Sequence, residues 1–279
     1  MDILMRFPGF KYKALTFSYD DGWRQDKRLV EIFNRYNVKG TFNINSGAFG
    51  ENKSEDILSG KGRMSEEEAF ECYSNGEHEV AVHAYTHPHL ECLANGVTVA
   101  EIIRDRLKLE KIFGYPVRGM AYPFGTYNEK VIECLKACDI AYARTIATTG
   151  KFDLPQNWLC MPTTCHHSHS KLLEFADTFL SLTDNLGSKV KLFYVWGHTT
   201  EFDRDNNWHI IESFIEKVSN NDDIWYATNI QICDYVKAYE SLIWSADATM
   251  VYNPTATEVF FIRNRKKFSV KPGEKITTQ

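Results

Sequence analysis

Seven short apolar or aromatic runs, each followed by a loop and a helix-periodic segment, set the rhythm of this chain from residue 13 to about 242. The strand-like runs are 13–19, 39–45, 79–84, 117–122, 140–146, 191–196 and 224–227. Helical spacing covers 26–36, 65–74, 127–137, 170–183, 207–219 and 230–242. The stripe Val99, Ile102, Leu109, Ile112 and Phe113 marks one more helix between the third and fourth strands. Ser65 with Glu68 reads as a capping box, and Asn75-Gly76 as the stop of the same helix. Strands that alternate with helices pair in parallel, because each crossover carries the chain back to the same end of the sheet. The expected fold class is therefore α/β, a distorted (β/α)7-type barrel.

After Trp244 the rhythm changes. The runs ATMVYNP, EVFFIRN and KKFSVKPGE alternate apolar and polar residues between turn signals. They predict a small C-terminal antiparallel β appendage that covers a face of the barrel. The expected division is 1–244 for the barrel and 245–279 for the appendage. The stretch 147–167 reads as a long loop rich in Thr, Pro and His.

A chain of 279 residues with 43% hydrophobic side chains can bury a sizeable core. The net charge of -5 offers no basic footprint for nucleic acid. No run approaches the ~18 apolar residues of a membrane span. Seven scattered cysteines, without a CxxC pair, suit reduced thiols. The first residues show no apolar leader core, so a cytoplasmic location is the expectation for the sequence as it stands. Oligomeric state has no signature.

Chemistry collects at the ends of the predicted strands. Asp20-Asp21-Gly22 closes the first. Adjacent strand side chains face opposite ways, so neighbouring carboxylates take different jobs. His83 and His87 close the third, spaced i and i+4 like a helical metal pair, but Pro88 pushes His87 out of the α region. Two imidazoles and one carboxylate make a three-ligand set with a position left for water. His78 and His89 are taken as bystanders. Ala121-Tyr122-Pro123-Phe124-Gly125 closes the fourth strand, and Trp196-Gly197-His198, followed by Glu201 and Asp203, closes the sixth. A histidine there is an acid/base candidate. These are the strand ends where α/β barrels carry their active sites.

Taken together, Asp-Asp-Gly and His-x3-His-Pro resemble the motifs of the polysaccharide deacetylase family, the NodB-homology or carbohydrate esterase family 4 group, over roughly residues 13 to 240. The resemblance implies a distorted barrel that removes acetyl groups from sugars with one divalent metal. It implies Asp21, His83 and His87 as ligands, Asp20 as catalytic base, His198 as catalytic acid and the backbone N–H near Phe124 as an oxyanion donor. Tyr122, Trp196 and Glu201 join Phe124 as candidate oxyanion or substrate contacts, and the Asn157-Trp158 region as a candidate aromatic wall. Zinc is the expected ion, with Co, Ni or Fe also suited to such ligands. An acetylated carbohydrate is the expected partner. The chain departs from the family at Ala121, where an Arg that braces the base often stands. Two rival readings remain: a hydrolase of a small or cyclic amide on the same scaffold, and a non-catalytic carbohydrate-binding protein.

Overall fold

The computed structural model describes residues 3–51 and 62–278. In chain order its first strands are β1 (Ile3–Arg6), β2 (Lys13–Asp20), β3 (Gly40–Ile44), β4 (Glu79–Val82), β5 (Gly119–Ala121), β6 (Tyr142–Thr148), β7 (Met161–Thr163), β8 (Cys165–His166), β9 (Lys191–Gly197) and β10 (Ile224–Tyr226). The central sheet has the order β7-β6-β5-β4-β3-β2-β9-β8, every neighbour parallel. Only Thr164 separates β7 from β8. The segment 161–166 thus lies against β6 on one side and β9 on the other, and it closes the ring.

This closing segment lies within the stretch that the sequence suggested as loop. Strands of three and two residues are too short to show a period-2 pattern. The run 224–227, expected as a full barrel strand, has a lesser place. β10 pairs only with 13–15 at the start of β2, while β3 pairs with 17–20 on the same edge.

The described helices are α1 (Asp26–Arg35), α2 (Glu66–Tyr73), α3 (Asn95–Phe113), α4 (Glu129–Ala137), α5 (Leu172–Ser181), α6 (Thr200–Arg204), α7 (Trp208–Val218) and α8 (Asn229–Glu240). The Ser65 side chain accepts from Glu68 N–H, and the Glu68 carboxylate accepts from Ser65 N–H, which is the expected box. α3 stops at Gly114, whose φ of +74° costs glycine little.

The two faces of each barrel strand differ. On β2, Leu15, Phe17 and Tyr19 pack outward into the main core with Phe33, Phe42 and Phe214. Thr16, Ser18 and Asp20 alternate with them and face inward, where Thr16 bonds Asn229 and Ser18 bonds Asn43. β3 repeats this with Phe42 and Ile44 outside and Thr41 and Asn43 inside. The barrel interior is therefore a buried polar column, closed at its far end by Glu79 bonded to Thr41 and Tyr142. Buried polar groups of this kind hold only when paired.

The remaining strands are β11 (Ile243–Trp244), β12 (Met250–Tyr252), β13 (Val259–Arg263), β14 (Lys266–Val270) and β15 (Lys275–Thr277). They build two three-stranded sheets, β1-β13-β14 and β11-β12-β15. Val251, Val259, Phe261 and Val270 form their common core against Ala238 and Leu242 at the end of α8. Two segments assigned by sequence to 1–244, β1 and β11, pair with this appendage.

Candidate active site

Period-2 alternation turns Asp20 inward at the top of the polar column. Its carboxylate meets the guanidinium of Arg144 through both oxygens, and Asn43 Nδ2 donates to Oδ1 at 2.8 Å. Arg144 is wholly buried, with its guanidinium carbon 4.6 Å from the Trp196 ring centre. Burial drives the Asp20 carboxyl up, but Arg144, His83 and His198 outweigh it and hold the group at about 2.

Directly after the strand the backbone reverses. Asp21 takes φ +86° and Gly22 φ +69°, while Asp21 N–H donates to Asn43 O at 2.8 Å. A positive φ at a non-glycine residue stores strain, and such residues gather at functional sites. Ala84 at +62°, His87 at +57° and Phe124 at +58° repeat the pattern around the same cleft. His87 is thus outside the right-handed helical region, as its place before Pro88 requires. Its conformation is left-handed, however, and not the extended one that Pro favours.

The reversal brings Asp21 Oδ1 to 3.8 Å from His83 Nε2 and 3.6 Å from His87 Nε2. His83 Nδ1 lies 2.7 Å from Ala121 O, a bond that leaves the Nε2 lone pair facing Asp21. Asp21 Oδ2 accepts from Trp23 Nε1 at 3.2 Å, whereas Oδ1 is buried and has no hydrogen-bond partner. Arg63 Nη1 stands 3.4 Å from the same oxygen, and a carboxylate oxygen set between two imidazole nitrogens fits a divalent cation. Atoms ~2.1 Å from one ion in tetrahedral array lie about 3.4 Å apart, close to the separations here. Burial lowers the pKa of His83 and brings His87 to about 4, so both are neutral, as ligands must be.

His198 completes the ring, with Nε2 3.7 Å from Asp20 Oδ2 and Nδ1 3.4 Å from Glu201 Oε1. Burial opposes its charge, but Glu201, Asp20 and Asp21 prevail and raise its pKa. The cleft above these groups has a volume of about 340 Å³ and is lined also by Tyr122, Gly125 and Trp196. Phe124 and Ile146 stand exposed on its rim. Gly125 lets this turn lie against β6, since a Cβ there would come within 2.5 Å of Ile146.

All nine candidate residues lie in or beside this cleft, but two of them, and the Asn157-Trp158 region, differ from expectation in detail. The Tyr122 hydroxyl donates to Leu159 O at 2.7 Å, so its ring is wall and not donor. Glu201 does not line the cleft; it stands behind His198. Trp158 packs against the second core cluster and forms no wall of the cleft. His89, taken as a bystander, stacks on Phe124 at 3.9 Å. Arg144 belonged to no motif. Its signal was a lone charge in the apolar run 140–146, two residues after Tyr142 on the inward face. Ala121 and Arg144 are register partners on β5 and β6, so the brace missing at one position is supplied by its neighbour.

Residues 9–143 match the family profile described as polysaccharide deacetylase. The match ends one residue before Arg144. No curated protein matches the chain by sequence. A candidate polysaccharide deacetylase from Mycobacterium smegmatis shares the fold at TM-score 0.60 and 17% identity, over 85% of this chain and 94% of that one. A carbohydrate esterase family 4 pseudoenzyme from Bacillus anthracis follows at TM-score 0.50 and 15% identity, over 83% and 68%. The Streptococcus pyogenes deacetylase PplD in complex with acetate aligns at TM-score 0.46 and 19% identity, over 52% of this chain and 61% of that one.

Proposed function

Residues 9–143 match the polysaccharide deacetylase profile, and we propose that this chain belongs to that family and hydrolyses acetyl groups from an acetylated carbohydrate with the help of one divalent metal. The observation that carries the proposal is Asp21 Oδ1 set between two imidazoles, beside a second, Arg-braced carboxylate and a histidine from a distant strand. Asp21, His83 and His87 would hold the ion, and zinc suits that set best. When bound, it supplies Lewis acidity for the acetyl carbonyl and acidifies the attacking water.

The chain's own groups supply the proton transfers. Arg144 keeps Asp20 ionised and contacts both its oxygens, while Asn43 also donates to Oδ1, so Oδ2, the less engaged oxygen, would take the proton of the attacking water. A backbone N–H at Phe124 would stabilise the developing oxyanion. His198, with its pKa raised, carries a proton on Nε2 for the departing amine or alkoxide. Acetate and the deacetylated sugar leave. The open cleft with its exposed apolar rim favours an extended sugar over a small cyclic amide.

The test is Asp20→Asn. It should retain stoichiometric metal and lose ~10²–10⁴-fold in turnover, the usual contribution of a positioned acid or base. Unchanged acetate release would remove Asp20 from the mechanism.

A further inference from the structure

A second cluster of ligand-type side chains lies behind His198, outside the machinery just described. His166 ends β8, His167 follows it, and Glu201 sits in the first turn of α6. His166 Nε2 and His167 Nε2 stand 3.1 and 3.0 Å from a single atom, Glu201 Oε2. Separations this short ordinarily mean hydrogen bonds. Yet Glu201 Oε2 and both ring nitrogens of His167 are buried without a hydrogen-bond partner. At 3.0 Å an imidazole nitrogen misses an oxygen only when its in-plane axis is aimed to one side of it. Ligands of one ion show that arrangement, because their axes cross at the metal. Two atoms ~2.1 Å from an ion and at right angles lie about 3.0 Å apart.

The His167 ring is held rigidly in this pose. It is wholly buried, stacked between Tyr19 at 5.7 Å and Phe202 at 4.1 Å. Its backbone N–H donates to Trp196 O at 2.8 Å, and only a glycine fits at 197, since a Cβ there would come 2.0 Å from His167 Nδ1. Unpaired buried polar atoms are costly, and the charge contacts of Glu201 with the two imidazoles offset that only in part. His166 Nδ1 accepts from Ser168 N–H at 3.2 Å and lies 2.7 Å from Ser168 Oγ, which fixes the orientation of the ring.

We infer that His166, His167 and Glu201 form a second divalent-metal site, a two-histidine, one-carboxylate set suited to zinc. The other Glu201 oxygen contacts His198 Nδ1, so the ion ties the ring-closing segment to the turn that carries His198. The site stands on its own atoms and does not depend on the deacetylase reading.

Zinc content of the full chain after equilibrium dialysis against buffered zinc decides it. The unaltered protein should hold two equivalents, Glu201→Gln one, and Asp21→Asn one. Equal zinc content in the unaltered protein and in Glu201→Gln overturns the inference and leaves imidazole N–H groups shared with Glu201. Cobalt(II) gives a second measurement if Glu201→Gln fails to fold. Added to Asp21→Asn it should produce visible absorption that is missing from the Asp21→Asn, His166→Asn double variant. No absorption in Asp21→Asn, or equal absorption in both, refutes the site.

Discussion

Replacing Arg144 with methionine keeps the apolar stem against Trp196 and removes the cation from Asp20. Asp20 and Arg144 are 2% and 0% exposed. Breaking a buried pair by deleting one partner costs ~3–5 kcal/mol, because the remaining charge is left uncompensated. At ~2–4 °C per kcal/mol for large domains, the midpoint should fall by roughly 6–20 °C at pH 7. The pH dependence follows from the sign of the shift. In the unaltered protein burial raises the Asp20 pKa, but Arg144 leads the groups that bring it down to about 2. The ionised carboxylate therefore stabilises the fold above its unfolded pKa of ~3.9, and that contribution is lost as pH falls toward 2. In Arg144→Met burial prevails and the pKa rises. The variant should then be weakest at neutral pH, and its deficit should shrink as acid protonates Asp20. Thermal melts of Arg144→Met, Asp20→Asn and the double variant from pH 3 to pH 8 measure this directly. The double variant should be more stable than Arg144→Met alone, since it carries no stranded charge. A deficit under ~1 kcal/mol that is independent of pH, with additive single effects, would refute the reasoning.

Deleting 245–279 strips β1 of its partner and opens the core around Val251 and Phe261. Melting should drop by several degrees while turnover per folded molecule persists; lost turnover with unchanged melting would make the appendage a substrate-binding element. His198→Ala should slow aryl acetates less than acetylated sugars, because good leaving groups need little protonation. Equal slowing of both would deny His198 the role of general acid.

What could be read from the sequence was what repeats or clusters locally. Strand–helix alternation and the placement of Asp20, Asp21, His83, His87 and His198 at strand ends needed only period and position. Arg144 was missed because its partner lies 124 positions away, and the register of β5 with β6 alone explains why it substitutes at Ala121. The alternation Thr16, Ser18, Asp20 carried a hint, since polar residues at every second place in a strand with no solvent face imply a polar barrel interior. β7 and β8 are too short for any periodic signal, so ring closure was invisible. The pairing of β1 with β13 joins the two ends of the chain, and no local pattern announces it.

The central claim is that the cleft around Asp20 and Asp21 is a working, metal-dependent deacetylase centre. Acetate release from a panel of acetylated oligosaccharides, by the same preparation before chelation, after chelation and after zinc is restored, tests it most directly. The account predicts release that disappears with the metal and returns with it. No acetate from the zinc-loaded protein on any substrate would contradict it.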